Sequence, residues 1–169
     1  VISRPAALGG GGGLTAWRLD PAKFAATWDS DEGAFRFGGR WNSRGVRAVY
    51  AALDPATAIL EVAVHKGFEV LDTLPHTVTA FEIDDPAQVH VVDPDTVPNP
   101  HWLRPCNPSA GQQAFGDALL GRHAFVVIPS VVSTHSWNLI FRVGAAARPR
   151  PRLQERFALD TRLHPPRGG

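Results

Sequence analysis

The apolar positions along the chain change period several times, and each change marks an element. Thr15-Ala16-Trp17-Arg18-Leu19 alternates like a short strand, and Asp20-Pro21 predicts a helix running through Lys23 to Thr27, because proline is tolerated in a first helical turn. The acidic, polar stretch from Asp29 to Gly33 predicts a loop, and Ser43 to Gly45 a second one before a strand at Arg47-Ala48-Val49-Tyr50-Ala51. Asp54-Pro55 is a clear helix start, an N-cap followed by proline at the first helical position. The helix extends through Ile59, Glu61 and His65 to about Lys66, where Gly67 ends it. Downstream, Thr77 to Ile83 alternates as a half-buried strand, Val89 to Val92 is another, and Ser109 to Leu120 predicts a helix. Ala124-Phe125-Val126-Val127-Ile128 is a continuous apolar run of the kind found in central strands, stopped by Pro129 with Ser130 at its end. Ser133 to Ser136 predicts a loop, with strand-like segments near Asn138 to Val143 and Phe157 to Leu159.

These elements, in 169 residues, predict one domain of mixed α/β (α+β) class, and 15 prolines with 16 glycines favour short elements and many turns over a helical bundle. Five consecutive glycines, Gly9 to Gly13, predict a flexible leader over residues 1–13, leaving 14–169 as the domain. Within it, Arg148-Pro149-Arg150-Pro151-Arg152 is kept extended by its prolines and reads as solvated basic surface.

Charge and cysteine content narrow the function classes. A formal charge of +1 gives no reason to expect a concentrated basic surface for direct nucleic-acid binding. Cys106 is the sole cysteine, which excludes an intrachain disulfide and a thiolate metal cluster and fits a reducing, cytoplasmic setting. No apolar run reaches the length of a membrane span and no signal-peptide layout is seen, so no membrane association is expected. None of the seven histidines forms an H-E-x-x-H pair; the nearest arrangement is Glu61 with His65 one helical turn later, and no metal site is expected. A Walker A sequence, a Gly-x-Gly-x-x-Gly after a strand and a Gly-x-Ser-x-Gly elbow are all missing from the sequence.

What remains is a different set of chemical residues. Gly38-Gly39-Arg40-Trp41-Asn42 joins two small residues to a guanidinium, an aromatic ring and an amide. Glycine lets a ligand approach the backbone, and arginine presents a planar fork that fits phosphate oxygens, so the motif suits a phosphorylated, aromatic ligand; a turn with a structural arginine and a core tryptophan would look the same. Glu61 lies in Ile59-Leu60-Glu61-Val62-Ala63-Val64, a helix apolar on nearly every side and therefore expected to be buried. An ionised carboxylate there needs a cation or several donors, which makes it either a functional group or half of an ion pair with Arg18 or Arg40. Tyr50, the chain's one tyrosine, precedes that helix on a strand, and its ring suits stacking on a flat heterocycle or packing in the core with a wet hydroxyl. Ser130 ends the most apolar strand, where a serine meets a ligand or turns the chain.

Taken together, Gly38-Gly39-Arg40-Trp41-Asn42, Tyr50, Glu61 within Ala58 to His65, and Ile128-Pro129-Ser130 resemble the RES domain, a family called after its arginine, glutamate and serine. Trp17-Arg18, Phe115-Gly116-Asp117, Asn138-Leu139-Ile140-Phe141 and Phe157 to Leu163 match as well, so the resemblance covers about Leu14 to Leu163. It departs from many members at Phe141-Arg142-Val143-Gly144, where an Asn-Pro pair is usual.

The resemblance implies a fold similar to the diphtheria-toxin type of ADP-ribosyltransferase, and a bacterial toxin that consumes NAD⁺ without a metal. The NAD⁺ would be hydrolysed, phosphorolysed, or used to transfer ADP-ribose to a protein; a non-catalytic nucleotide- or antitoxin-binding module is the reading from another class. The implied partner is an Xre-like antitoxin, through which alone DNA would be contacted, and a homodimer is a further implication. By position, Arg40, Tyr50, Glu61 and Ser130 would form the catalytic set, with Arg18, Asn42 and Asn138 joining Arg40, Tyr50 and Ser130 in binding substrate.

Overall fold

The computed structural model describes residues 13–102, 108–133, 135–144 and 148–160. Seven strands form one sheet: β1 (Leu14–Pro21), β2 (Val49–Ala52), β3 (His76–Ile83), β4 (Val89–Val91), β5 (Phe125–Pro129), β6 (Trp137–Phe141) and β7 (Arg150–Phe157). Their spatial order is β4-β5-β6-β2-β1-β3-β7; β4 and β5 run parallel and the other neighbours antiparallel. The helices are α1 (Glu32–Phe37), α2 (Pro55–Lys66), α3 (Phe68–Thr73) and α4 (Ala110–Arg122), with 3-10 turns at Ala22–Thr27, Pro86–Gln88 and Pro94–Thr96. The mixed α/β class read from the sequence is the class observed. Among the described residues, no helix is long and apolar enough to cross a membrane.

The apolar run of β5 is explained by burial on both faces of the sheet. Phe125 and Val127 join Leu139, Phe141, Phe81 and Trp28 in one core, whereas Val126 and Ile128 point the other way, towards Ile140, Trp41, Trp102 and Leu119. The pleat sends successive side chains to opposite faces, and each fully buried one contributes about 1.5–3 kcal/mol.

The same register assembles one end of the sheet. Asn138 pairs with Ile128 on one side and with Ala52 on the other, so the end of β5, the start of β6 and the end of β2 lie side by side. Ser130 N–H donates to Ser136 O and Leu53 N–H to Trp137 O, both at 2.9 Å, closing that end. α2 starts there, just after β2: Asp54 accepts from Thr57 N–H at 2.8 Å and from the Thr57 hydroxyl at 2.6 Å, a cap typically worth about 1 kcal/mol. Its inner face packs Ile59, Val62 and Ala63 against Trp17, Leu19 and Leu71.

Four local readings are corrected. The ladder of β1 with β3 continues to Pro21, opposite His76, so the helix expected from Asp20-Pro21 begins later and only as a 3-10 turn. The loop expected from Asp29 to Gly33 gives way to α1, whose start is held by Arg47 against Asp31 at 2.5 Å and Glu32 at 3.1 Å. α3 follows Gly67 without a sequence signal noted for it. Arg150-Pro151-Arg152 opens β7, an edge strand with every residue from Arg150 to Arg156 exposed, so no apolar alternation announced it; proline is tolerated at such an edge. Arg148 bonds Asp29 at 2.8 Å and Arg152 bonds Glu82 at 2.7 Å. Most of the expected glycine leader, Cys106 and the end of the Phe157 to Leu163 match lie outside the described residues.

Candidate active site

A cavity of about 600 Å³ opens between the loop after α1 and the inner end of α2. Arg18, Arg40, Tyr50, Glu61 and Asn138 line it, as do Asp20, His65, Lys66 and Phe37 to Gly39. Its size falls within the range of about 300–1,000 Å³ usual for small-molecule sites. The sheet register, not sequence proximity, brings together five of the seven residues singled out in the sequence; Asn42 and Ser130 stand behind the cavity rather than on its surface.

The loop wall is braced from behind. The Tyr50 hydroxyl donates to Asn42 Oδ1 at 2.7 Å and accepts from Trp41 N–H at 3.0 Å. Burial raises the Tyr50 phenol well above its ordinary range, the Trp41 contact opposing that rise. Asn42 is fully buried, and its amide donates to Val46 O at 2.8 Å, Ala34 O at 3.0 Å and Ser43 O at 3.2 Å. A side chain at Gly39 would place Cβ 2.5 Å from the Tyr50 hydroxyl, so only glycine lets the loop close over the phenol. α4 holds the loop from below: Asp117 accepts from Ser43 N–H at 2.9 Å and Gln113 donates to Gly39 O at 2.9 Å. Gly116 lies so close that a Cβ would fall 2.0 Å from Trp41 O. Trp41 itself is buried against Trp102, ring centroids 5.4 Å apart. Arg40 emerges from this frame into the cavity, with one guanidinium nitrogen 3.4 Å from Trp102 O.

The helix wall centres on Glu61. Its Oε1 accepts from the Ser130 hydroxyl at 3.0 Å and the Asn138 amide at 2.5 Å. Ser130 is itself fixed, since its hydroxyl oxygen accepts from Val132 N–H at 3.2 Å and Ser133 N–H at 3.3 Å. The other carboxylate oxygen, Oε2, lies 3.9 Å from His65 Nε2. Asn138 Oδ1 is buried without a hydrogen-bond partner.

Two expectations about Glu61 change. The helix is not buried all round, because Leu60 and Val64 are exposed, the latter by 65%. Among the described residues no salt bridge joins Glu61 to Arg18 or Arg40; two neutral donors serve the carboxylate instead. Arg18 is engaged elsewhere, forked onto Asp20 at 2.6 and 3.0 Å with its third nitrogen on Tyr50 O at 2.6 Å. Asp20, Gln113 and Asp117 were not singled out by sequence reasoning. Phe115-Gly116-Asp117 matched the family pattern and was the one available signal for the bracing of the loop by α4. Among the described residues, no three His, Cys, Asp or Glu side chains gather as a metal site.

Comparisons with known proteins bear on the family and the fold. The RES domain model matches residues 15–160. The chain is 32% identical over 129 residues to Toxin Res of Photorhabdus laumondii subsp. laumondii, covering 75% of this chain and 80% of that protein. It is 34% identical over 134 residues to the Prs ADP-ribosylating toxin of a Sphingobium strain, covering 73% and 79%. Among solved structures, the crystal structure of the M. tuberculosis MbcT-MbcA toxin–antitoxin complex contains a chain that superposes with a TM-score of 0.67 at 20% identity, over 89% of this chain and 90% of that one, a likeness of fold. The residues, the fold and the family model converge: this chain belongs to the RES domain family and is a toxin of that family.

Proposed function

We propose that this toxin breaks the bond between nicotinamide and ribose in NAD⁺, with Glu61 as its catalytic carboxylate. The observation that carries the reading is the asymmetry at Glu61: two donors converge on Oε1, while Oε2 lies near His65, in a cavity that also receives Arg40. The name of the Sphingobium relative, an ADP-ribosylating toxin, supports NAD⁺ as the substrate.

The residues suit this chemistry. The nicotinamide ring of NAD⁺ is a cationic leaving group that departs neutral, so the site needs no strong acid beside it. Positive charge grows on the ribose as the bond stretches, as in glycoside cleavage, and a fixed carboxylate stabilises it without reorganising. Ser130 and Asn138 act as positioning residues that hold Glu61 in one orientation, and the uncommitted Asn138 Oδ1 marks where a small adjustment would meet a donor on the nicotinamide ribose or carboxamide. Arg40 takes the pyrophosphate, with Arg18, steadied by Asp20, adding positive charge to the same cavity. Tyr50 presents its ring to the cavity while its hydroxyl locks the loop, and Asn42 shapes the loop from within.

An antitoxin partner follows from the family and from the toxin–antitoxin complex whose fold this chain shares. Transfer of ADP-ribose to a protein is the second reading, favoured by the Sphingobium relative's name. Nicotinamide release from NAD⁺ by the purified protein separates the readings. Free ADP-ribose in phosphate-free buffer means hydrolysis, a phosphate-dependent rate means phosphorolysis, and release only with a target protein means transfer. Absence of nicotinamide under all three conditions contradicts NAD⁺ cleavage.

A further inference from the structure

His65 stands one helical turn after Glu61 with its Nε2 3.9 Å from Glu61 Oε2, the carboxylate oxygen that neither Ser130 nor Asn138 engages. The two side chains differ in exposure, 24% for Glu61 and 71% for His65, so the imidazole lies between a partly exposed carboxylate and bulk solvent. An exposed pair of this kind adds little to stability, as does a basic residue placed against the dipole in the last turn of a helix. Imidazole is also the side chain that most readily takes up and gives up a proton near neutral pH.

Resting on the proposed NAD⁺ cleavage, we infer that His65 carries the proton of the nucleophile from Glu61 to solvent. The nucleophile is accordingly one that must lose a proton, namely water or an acceptor hydroxyl or ammonium, rather than the hydrogen phosphate dianion. With water, a carbon–oxygen bond forms at the anomeric carbon as the carbon–nitrogen bond breaks. The bonding pair passes to the ring nitrogen, which becomes neutral, and no atom is oxidised or reduced overall. One proton is left over: it moves from the water to Glu61 Oε2, then to His65 Nε2, and out. A side-chain adjustment or one intervening water spans the gap between those two atoms. Hydrogen phosphate dianion attacks the same carbon through an oxygen that carries no proton, so the bond forms with no proton to take from the nucleophile.

The charged groups that line the cavity with His65 are Arg18 and Asp20 from β1, Arg40 from the loop after α1, and Glu61 and Lys66 on its own helix. Protonated imidazole cannot accept a second proton, so turnover falls as the medium becomes acidic.

The test compares nicotinamide release from NAD⁺ by wild type, His65→Ala and His65→Gln in phosphate-free buffer, across pH and with added imidazole. The expected result is a fall of about 100-fold in kcat for both variants with KM nearly unchanged. The acidic limb of the wild-type profile should disappear from both, and free imidazole should restore His65→Ala in proportion to its concentration. Wild-type rates in either variant, recovery by glutamine, or no response to imidazole would overturn the inference. A wild-type reaction driven by phosphate alone would overturn it too. An inactive wild type sinks the proposed function along with it, whereas an active wild type with unaffected variants sinks the proton path alone.

Discussion

On the loop wall of the cavity, polar side chains bond to one another and to the backbone: Tyr50 to Asn42 and Trp41, Asn42 to three carbonyls, Asp117 and Gln113 to the loop from beneath. On the helix wall, polar side chains converge on a single atom, Glu61 Oε1, and leave its twin near His65. The loop wall is a frame that aims one arginine; the helix wall is a carboxylate held in one orientation. A motif residue such as Asn42 can thus shape the cavity wall without lining the cavity. It also predicts different signatures: damage to the frame is read in stability and substrate affinity, damage around the carboxylate in turnover.

The largest effect expected from the frame comes from Gly116→Ala. Its Cβ would meet Trp41 O at 2.0 Å, a backbone atom that cannot swing away, and the loop must shift off α4. The expected cost is about 3 kcal/mol, a fall of about 10 °C in Tm, despite the better helix propensity of alanine. An unchanged Tm would show that α4 does not brace the loop.

Tyr50→Phe tests the frame more gently. It strands Asn42 Oδ1 and Trp41 N–H, at an expected cost of about 1–3 kcal/mol in urea unfolding at neutral pH. Because burial raises the Tyr50 phenol in the folded state, its contribution is intact below about pH 10, the ordinary phenol value. It is then lost as pH rises towards the folded value, by up to about 1.4 kcal/mol per pH unit. The phenylalanine variant should lack that alkaline decline; a parallel decline in both proteins would mean that another group causes it.

Ser130→Ala should be the mildest of the three. It removes one of two donors to Glu61 Oε1, and loss of one charge-assisted hydrogen bond of about 1.4 kcal/mol corresponds to about tenfold in kcat, with KM steady. A rise in KM at constant kcat would instead make Ser130 a substrate contact.

Much of this was legible in the chain, for identifiable reasons. β5 and α2 were readable because a central strand must be apolar on both faces and because Asp54-Pro55 and Gly67 mark helix ends by local chemistry. The candidate residues were readable as types, but their roles depend on long-range register that no local pattern carries. Asn138 reaches Glu61 only because β6 pairs with β2 and β5. Arg18 was readable as a substrate-binding candidate, but that Asp20, two residues away on the same strand, holds its fork was not. β7 was missed because an exposed edge strand needs no apolar alternation, and its arginines and prolines are what such an edge tolerates.

If Glu61 is the catalytic carboxylate, Arg40 should govern the binding of NAD⁺ and Glu61 its turnover. NAD⁺ affinity and nicotinamide release measured side by side for Arg40→Ala and Glu61→Gln separate the two roles. Glu61→Gln should keep NAD⁺ affinity within about threefold while kcat falls by about 10²–10³-fold, and Arg40→Ala should weaken affinity by more than about tenfold. Turnover by Glu61→Gln close to wild type, or undiminished NAD⁺ binding by Arg40→Ala, would contradict this division of roles.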